Sequence, residues 1–296
     1  MRVQWENKIM SSFLQFVDHE ILDKGVAYEN WGANFYPADN LYNGYYTYTS
    51  PFQQFVVDSS METATIPNTS PASTHYANII DGVYVDGVFK SVASNDAGLV
   101  GINHQKGHVY FNQDKSGSTI SGNFAVKDYS VLLTSQSEEN LLFHTKHHLR
   151  PKVYQPVTGL QYDASTYPVI YIKNMGGDSL PMGLGGVENV RTDIRAVILS
   201  DSAFSLDAVC NILKDTARKR LPIITDTPFN AMGAYTGTAY NYDTLSQCSD
   251  GNCGPSIWNV RVSKIAPDSS QSVNELDLDV FSAFVDFEVH SLGQKS

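Results

Sequence analysis

The first apolar pattern in the chain has the period of an α-helix. It places one set of apolar side chains on a single helical face: Ile9, Phe13, Phe16, Val17 and Ile21. Lys24 and Gly25 form a suitable C-terminal stop, because a basic side chain complements the helix dipole and glycine tolerates a left-handed turn. The pattern predicts one helix over residues 5–24.

From residue 41 onward the pattern changes to short aromatic and β-branched runs separated by turn residues. Asp86-Gly87, between the runs 84–85 and 88–89, is typical of a two-residue hairpin. Further strands are predicted at residues 45–48, 52–57, 109–111, 124–133, 141–149 and 169–172. This rhythm indicates an antiparallel meander or sandwich.

Three segments lack apolar periodicity and are predicted to be loops. Residues 59–78 are rich in Ser, Thr, Ala and Pro, and residues 225–255 are rich in Gly, Tyr and Thr. The glycine pairs at 176–177 and 185–186 predict a flexible connection between strands. Each of the two longer loops is either an arm that reaches a neighbouring molecule or an ordinary surface loop.

The last third of the chain combines a strand–helix unit with two alternating strands. Residues 194–199 form a compact apolar run, Ser205 is positioned to cap a helix, and Pro222 blocks its continuation. The helix presents one apolar face: Leu206, Val209, Cys210, Leu213 and Ala217. Two alternating strands follow, with these side chains predicted to face the core: Trp258, Val260 and Val262 in the first, and Phe281, Ala283, Val285, Phe287 and Val289 in the second.

Together these elements predict an α+β fold class. The fold is β-rich, with antiparallel sheets, an N-terminal helix, and one helix at about residues 205–220 packed on a C-terminal sheet. The predicted division is a helix over 1–24, a β-rich meander or sandwich over 25–190 with an exposed loop at 59–78, and an α+β core over 191–296. A single domain is the alternative.

Composition and charge narrow the class of partner. Charged residues make up only 17% of the chain, which contains 17 Tyr and 14 Phe, and such a surface suits contact with other proteins. The formal net charge of −11 argues against a face that grips nucleic-acid phosphates, but it is compatible with a conduit through which DNA slides. With no recognisable signal peptide or membrane-spanning apolar stretch, we expect synthesis in a cytoplasm and no membrane partner.

One histidine cluster resembles a metal site only at first sight. On the predicted strand 141–149, the side chains of His144, Lys146, His148 and Arg150 share one face, and His147 lies on the other. A face with this much positive charge repels a metal ion. The cluster therefore favours a solvated or partner-facing basic strand.

His104 and His108 have the four-residue spacing of a helical zinc site. Gly101 and Gly107 disfavour a helix there, and no glutamate follows His104. We therefore expect no zinc at this pair.

The remaining candidates for chemistry are equally weak. Asp277 and Asp279 lie on one side of a predicted strand, about 7 Å apart, but acidic pairs on a wet strand face usually serve solubility. Residues 183–186 lack the Lys-Ser/Thr of a phosphate loop. Cys248 and Cys253 flank a turn that can close a small disulfide, but a zinc site needs two further ligands. The sequence thus predicts no catalytic, cofactor-binding or metal residues, and a protein that is not an enzyme.

Two parts of the chain resemble known phage proteins. Residues 192–224 read as a strand, a Ser-Asp-Ser turn and an amphipathic helix, and residues 284–289 read as a closing strand. This order is similar to the α+β core of the tail-terminator and neck proteins of long-tailed bacteriophages. Residues 13–20 and 82–87 also resemble uncharacterised virion structural proteins of contractile-tailed phages.

This resemblance implies a virion structural protein that forms a ring, of six copies, at the neck. As a tail terminator it would stop tube polymerisation and join the tail to the head connector. The implied partners are further copies of itself, the tail tube or sheath, and connector or neck proteins, with DNA only passing through the lumen. Residues 25–190 exceed what a minimal terminator needs, so a neck or collar position is also open.

Two other classes remain as alternatives. A receptor- or glycan-binding protein of the tail or baseplate would also be β-rich and aromatic, although such adhesins usually trimerise and contain repeats, which this chain lacks. A carbohydrate-active enzyme would need Asp277 and Asp279 in a cleft.

Overall fold

The computed structural model describes residues 5–39, 41–62, 76–144, 167–181, 188–224, 238–245, 254–265 and 280–292. They contain α1 (Trp5–Gly25), α2 (Ala203–Lys214) and the short α3 (Tyr242–Leu245). The strands are β1 (Tyr28–Pro37), β2 (Tyr46–Thr49), β3 (Gly82–Val85), β4 (Val88–Ser91), β5 (Leu99–Asn103), β6 (His108–Phe111), β7 (Ile120–Lys127), β8 (Ser130–Leu133), β9 (Val169–Pro181), β10 (Glu188–Ser200), β11 (Ser256–Lys264) and β12 (Phe281–Leu292). The predicted β-rich α+β fold class is confirmed.

The strands form two sheets. One has seven strands in the order β4-β3-β7-β1-β2-β6-β5, and the other has five in the order β11-β12-β10-β9-β8. The pairs are antiparallel except β8 with β9. The hairpin at Asp86-Gly87 joins β3 to β4 as predicted, with both turn residues at positive φ.

The main hydrophobic core lies between the five-stranded sheet and the helices α1 and α2. The edge of the Phe13 ring meets the Phe287 ring of β12, with centroids 4.9 Å apart. A second hydrophobic core packs against the seven-stranded sheet. In this core the Phe55 ring stacks on the Phe124 ring, with centroids 4.1 Å apart. A smaller cluster that includes Tyr171 covers part of the opposite face of the five-stranded sheet.

Helix α2 packs on the C-terminal sheet as predicted, but its cap is Ser202 rather than Ser205. The Ser202 Oγ accepts a hydrogen bond from the Phe204 N–H at 3.2 Å, so the helix begins three residues earlier. It ends at Lys214, and Arg218 adopts a left-handed backbone conformation beyond it. The predicted burial of Cys210 on this helix is confirmed.

Three predicted strands differ from the structure. Residues 124–133 divide into β7 and β8, in different sheets, because the chain leaves the first sheet at Asp128 and Tyr129. Residues 52–57 form only one bridge, from Phe55 to Val126, next to a positive φ at Gln54. Residues 140–144 form a π-helical turn instead of the start of a strand, and residues 145–149 lie outside the described residues.

The glycine pair at 176–177 does not form a flexible connection but lies inside β9. The register between β9 and β10 shifts between Asp193 and Ile194, and Gly176 has φ +96°. A Cβ on Gly177 would lie 2.0 Å from the Arg191 carbonyl oxygen. These glycines therefore permit a bulge and a close approach of the two strands. The second glycine pair, at 185–186, lies outside the described residues.

A second bulge turns Trp258 out of the core, while Val260 and Val262 pack against the core as predicted. The register with β12 shifts between Ile257 and Asn259, so Ile257 is buried while Trp258, predicted to face the core, is 52% exposed. In β12 the predicted burial of residues 283, 285, 287 and 289 is confirmed, but Phe281, at the strand's start, is exposed.

The proposed domain boundaries stay a prediction. Strands from both sides of residue 190 belong to one sheet, since β9 pairs with β10. Helix α1 packs into the same core as α2 and β12.

We expect Phe13→Ala to lower the free energy of unfolding by about 3–5 kcal/mol, because it removes a fully buried ring and leaves a cavity against Phe287. The measurement is urea denaturation followed by circular dichroism. Phe204→Ala is the matched control, since this ring is 84% exposed, and it should change stability by no more than about 0.5 kcal/mol. Equal effects of the two substitutions would contradict the assigned core.

Candidate functional site

Helix α1 buries polar side chains as well as apolar ones. Gln15, Asp18 and Glu20 are each nearly inaccessible to solvent. Buried polar groups are costly unless they are hydrogen-bonded. Their partners come from distant parts of the chain, and together they define the polar centre of the molecule.

Asp58 is the hub of this polar centre. It is 0% exposed, and it follows the apolar residues 55–57. Its Oδ1 accepts hydrogen bonds from the Ser60 N–H at 3.0 Å, the Ser60 Oγ at 2.8 Å and the Tyr242 N–H at 2.9 Å. Its Oδ2 lies 2.8 Å from His19 Nδ1 on α1. One carboxylate thus joins three segments of the chain.

His19 is held between a carboxylate and an aromatic ring. Its imidazole stacks on Tyr242 with centroids 4.1 Å apart. Burial lowers the His19 pKa, but the hydrogen bond and the charge of Asp58 outweigh burial, and the net pKa is raised. The His19–Asp58 pair is therefore a buried ion pair at mildly acidic pH.

Tyr242 presents an unused hydrogen-bonding group. Its hydroxyl is buried and has no hydrogen-bond partner among the described residues. Burial, and then the charges of Glu20 and Asp58, raise the Tyr242 pKa. The hydroxyl therefore stays protonated.

A second buried carboxylate, Asp18, ties α1 to the junction of the two sheets. Lys127 Nζ lies 2.7 Å from both carboxylate oxygens, and the Tyr129 hydroxyl donates to Oδ1 at 2.9 Å. Burial and the charge of Asp18 raise the Tyr129 pKa well above its usual value. Nearby, the Tyr240 hydroxyl donates to Gln15 Oε1.

Glu20 connects α1 to the segment that follows α2. It forms ion pairs with Lys219 and, at 3.1 Å, with Lys24. A cavity of about 280 Å³ lies beside these pairs. Its lining is Phe16, His19, Glu20, Lys219, Arg220, Pro222, Tyr242 and Gly254.

The polar centre lacks the geometry of nucleophilic catalysis among the described residues. Ser60 Oγ donates to Asp58 rather than to a histidine, and the imidazole Nδ1 of His19 is bound to the same carboxylate. Cys210 lies on α2, where burial raises its thiol pKa to about 11, so the reactive thiolate is scarce. The hydrogen bonds of Asp58 instead hold α1, the turn at residues 59–62 and the segment 240–245 together.

The histidine pair considered from sequence does not lie on a helix. His104 is buried in the turn between β5 and β6, and its Nε2 lies 3.2 Å from the Ile80 carbonyl oxygen. His108 begins β6, where burial, and then the charge of Lys106, lower its pKa to about 4. In the described part of the chain, no three His, Cys, Asp or Glu residues are grouped to hold a metal ion.

The other sequence candidates fall largely outside the described residues. His144 ends the π-helical turn. These residues are not described: Lys146, His147, His148, Arg150, residues 183–186, Cys248, Cys253, Asp277 and Asp279. The structure therefore neither brings them together nor separates them.

Sequence reasoning missed Asp58 and Tyr242 as partners of His19. A local signal was present, because an aspartate just before Ser59-Ser60 is typical of a side-chain-capped turn. The long-range partners carry no such signal, since Tyr242 lies 184 positions from Asp58.

Comparison with known proteins identifies no family. No protein-family model matches this chain, and no curated protein matches it significantly. Among the described helices, none has the length and apolar character needed to cross a lipid bilayer.

We expect Asp58→Asn to destabilise the protein most at acidic pH. The folded-state pKa of His19 is raised, so the pair stabilises fully below the unfolded pKa of about 6.5, and the contribution declines as pH rises through the folded value. The melting-temperature difference between wild type and D58N should therefore shrink from pH 5.5 to 8.5. Differential scanning calorimetry measures it.

Ser60→Ala is the control for this series. It removes one hydrogen bond to Asp58 without changing charge, so its effect should vary little with pH. A difference between wild type and D58N that grows with pH would contradict the ion pair.

Proposed function

We propose that this chain is a virion structural protein of a tailed bacteriophage, and that its copies form a ring at the neck that joins the tail to the head connector. The role we favour is tail terminator. The elements that carry the resemblance support it, because β10 pairs with β12 along its length and α2 packs against both strands. Two neighbouring strands with a helix packed on them suit the element order on which the resemblance to tail terminators rests.

The observation that carries the proposal is a contact between the two candidate arms. The Ser59 N–H donates to the Tyr240 carbonyl at 2.6 Å, and the Tyr240 N–H donates to the Val57 carbonyl at 3.3 Å. Asp58 binds both Ser60 and Tyr242. The start of segment 59–78 and the middle of segment 225–255 are therefore held together beside α1, which suits arms that reach neighbouring copies from a rigid base.

The surface also fits permanent contact with other proteins. Several tyrosines and apolar side chains of the seven-stranded sheet and its loops are exposed: Tyr36, Leu41, Tyr42, Tyr45, Tyr46, Tyr84, Val88 and Phe89. Aromatic residues are enriched in protein interfaces. A net charge of −11 suits a lumen through which DNA slides without being gripped.

The arms allow a sharp test. The Ala77 N–H donates to the Met61 carbonyl at 2.9 Å, so residues 63–75 can be replaced by a short Gly-Ser linker without separating these ends. We expect wild type to form rings of about six copies, alone or on added tail tubes, and the linker variant to stay monomeric. Light scattering and negative-stain imaging measure both.

The control is the melting temperature of the linker variant, which should match that of wild type. If the folded variant still forms rings, segment 59–78 is not part of the interface between copies. A wild-type chain that stays monomeric both alone and on tail tubes would contradict the proposed function.

A second candidate function is receptor or glycan binding by a tail or baseplate protein. The observation that favours it is the stack of Tyr42 on Tyr110, with centroids 5.2 Å apart, because exposed aromatic rings suit the apolar faces of sugars. An elongated trimer that binds glycans, with binding lost in Tyr42→Ala, would support this function.

A further inference from the structure

The cavity beside α1 has the size of a site for a small molecule. Its volume is about 280 Å³, near the lower end of the range of roughly 300–1,000 Å³ that is typical of ligand pockets. Its lining comes from α1, from the segment 219–222 after α2, and from positions 242 and 254. A ligand in this cavity would therefore contact parts of the chain that are far apart in sequence.

Hydrogen bonds and close backbone packing hold the walls of this cavity in place. The Leu221 N–H donates to the Pro255 carbonyl at 2.6 Å. A Cβ on Gly254 would lie only 2.1 Å from the Leu221 carbonyl oxygen, so the two segments approach closely. The Ile224 N–H donates to the Ser12 Oγ of α1 at 3.1 Å. The cavity is therefore preformed, which lowers the entropic cost of binding a ligand.

Two hydrogen-bond donors on the lining are not used within the described part of the chain. The Tyr242 hydroxyl is buried and has no partner there, and a buried polar group without a partner costs stability. The Arg220 guanidinium forms no ion pair with any described residue. A carboxylate has the lone pairs to accept from both donors at once.

The carboxylates of the protein that lie nearest to the cavity already have partners. Glu20, on the lining, pairs with Lys219. Asp58 pairs with His19, which is also on the lining. The charge of Arg220 is therefore the one that remains for a ligand.

The surrounding charges favour a ligand with a single negative charge. Asp23 and Asp243 lie near enough to His19 for their charges to raise its pKa. Negative charges at such a distance repel a dianion more strongly than a monoanion. They therefore disfavour a phosphate and favour a carboxylate.

We propose that this cavity binds a small monocarboxylate with an apolar body. The carboxylate accepts hydrogen bonds from the Arg220 guanidinium and the Tyr242 hydroxyl, which thereby gains a partner. The apolar body packs against Phe16 and Pro222, which are also part of the lining. The inference does not depend on the proposed ring, because the cavity lies within one copy of the chain.

Isothermal titration calorimetry with benzoate, and with hexanoate as an aliphatic acid, tests the site in the full-length protein. We expect wild type to bind one molecule per chain. Arg220→Gln and Tyr242→Phe should each raise the dissociation constant by at least about tenfold, because hydrogen bonds to a charged group are the strong ones. Arg261→Gln is the matched control, since it removes the same charge from β11 and does not line the cavity. It should leave binding unchanged.

The stability of Tyr242→Phe is a second measurement. Phenylalanine keeps the ring that stacks on His19 and removes only the unpaired hydroxyl, so the melting temperature of the unliganded variant should not fall. Saturating benzoate should raise the melting temperature of wild type and R261Q, and much less that of Y242F and R220Q. If Y242F is less stable than wild type without ligand, the hydroxyl already has a structural partner and the inference is overturned.

Three further results would contradict the site. Wild type binds neither acid; both cavity variants bind benzoate as tightly as wild type; or benzyl alcohol, which lacks the charge, binds as tightly as benzoate. Tighter binding of phenyl phosphate than of benzoate would overturn the assignment to a monoanion. Each of these results leaves the proposed ring standing, because none of them measures assembly.

Discussion

The structure depends on one buried carboxylate. Asp58 lies where α1, the turn at 59–62 and the segment 240–245 meet, and it binds a group from each. A buried charge is tolerable only when its hydrogen-bond partners are in position. Displacing any one of these segments would leave the Asp58 carboxylate with too few partners. Because β7 of the seven-stranded sheet binds α1 through Lys127 and Asp18, and β12 of the five-stranded sheet packs on α1 through Phe287, the two sheets are coupled through α1.

The sequence was informative wherever a local pattern determines the structure. Helix α1, the Asp86-Gly87 hairpin and the alternation of β12 all follow from periodicity and turn chemistry. The two bulges could not be predicted, because they depend on which strand lies beside β9 and β11. They reversed the interpretation of Gly176 and Trp258.

The polar centre also could not be predicted from the sequence, because it depends on long-range neighbours. His19 and Glu20 lie on the predicted helix, but their partners lie far along the chain. Hydrogen-bond pairing between distant residues leaves no periodic trace in one sequence.

The contact between Phe13 and Phe287 has a consequence for synthesis of the protein. The main core needs the first helix and the last described strand together, so a growing chain cannot complete it until β12 has left the ribosome. Until then α1 exposes its apolar face, and such contacts between distant residues form slowly. Folding of the main core is thereby deferred until residues 5–292 have almost all been synthesised, and until then the chain exposes apolar surface that later becomes buried.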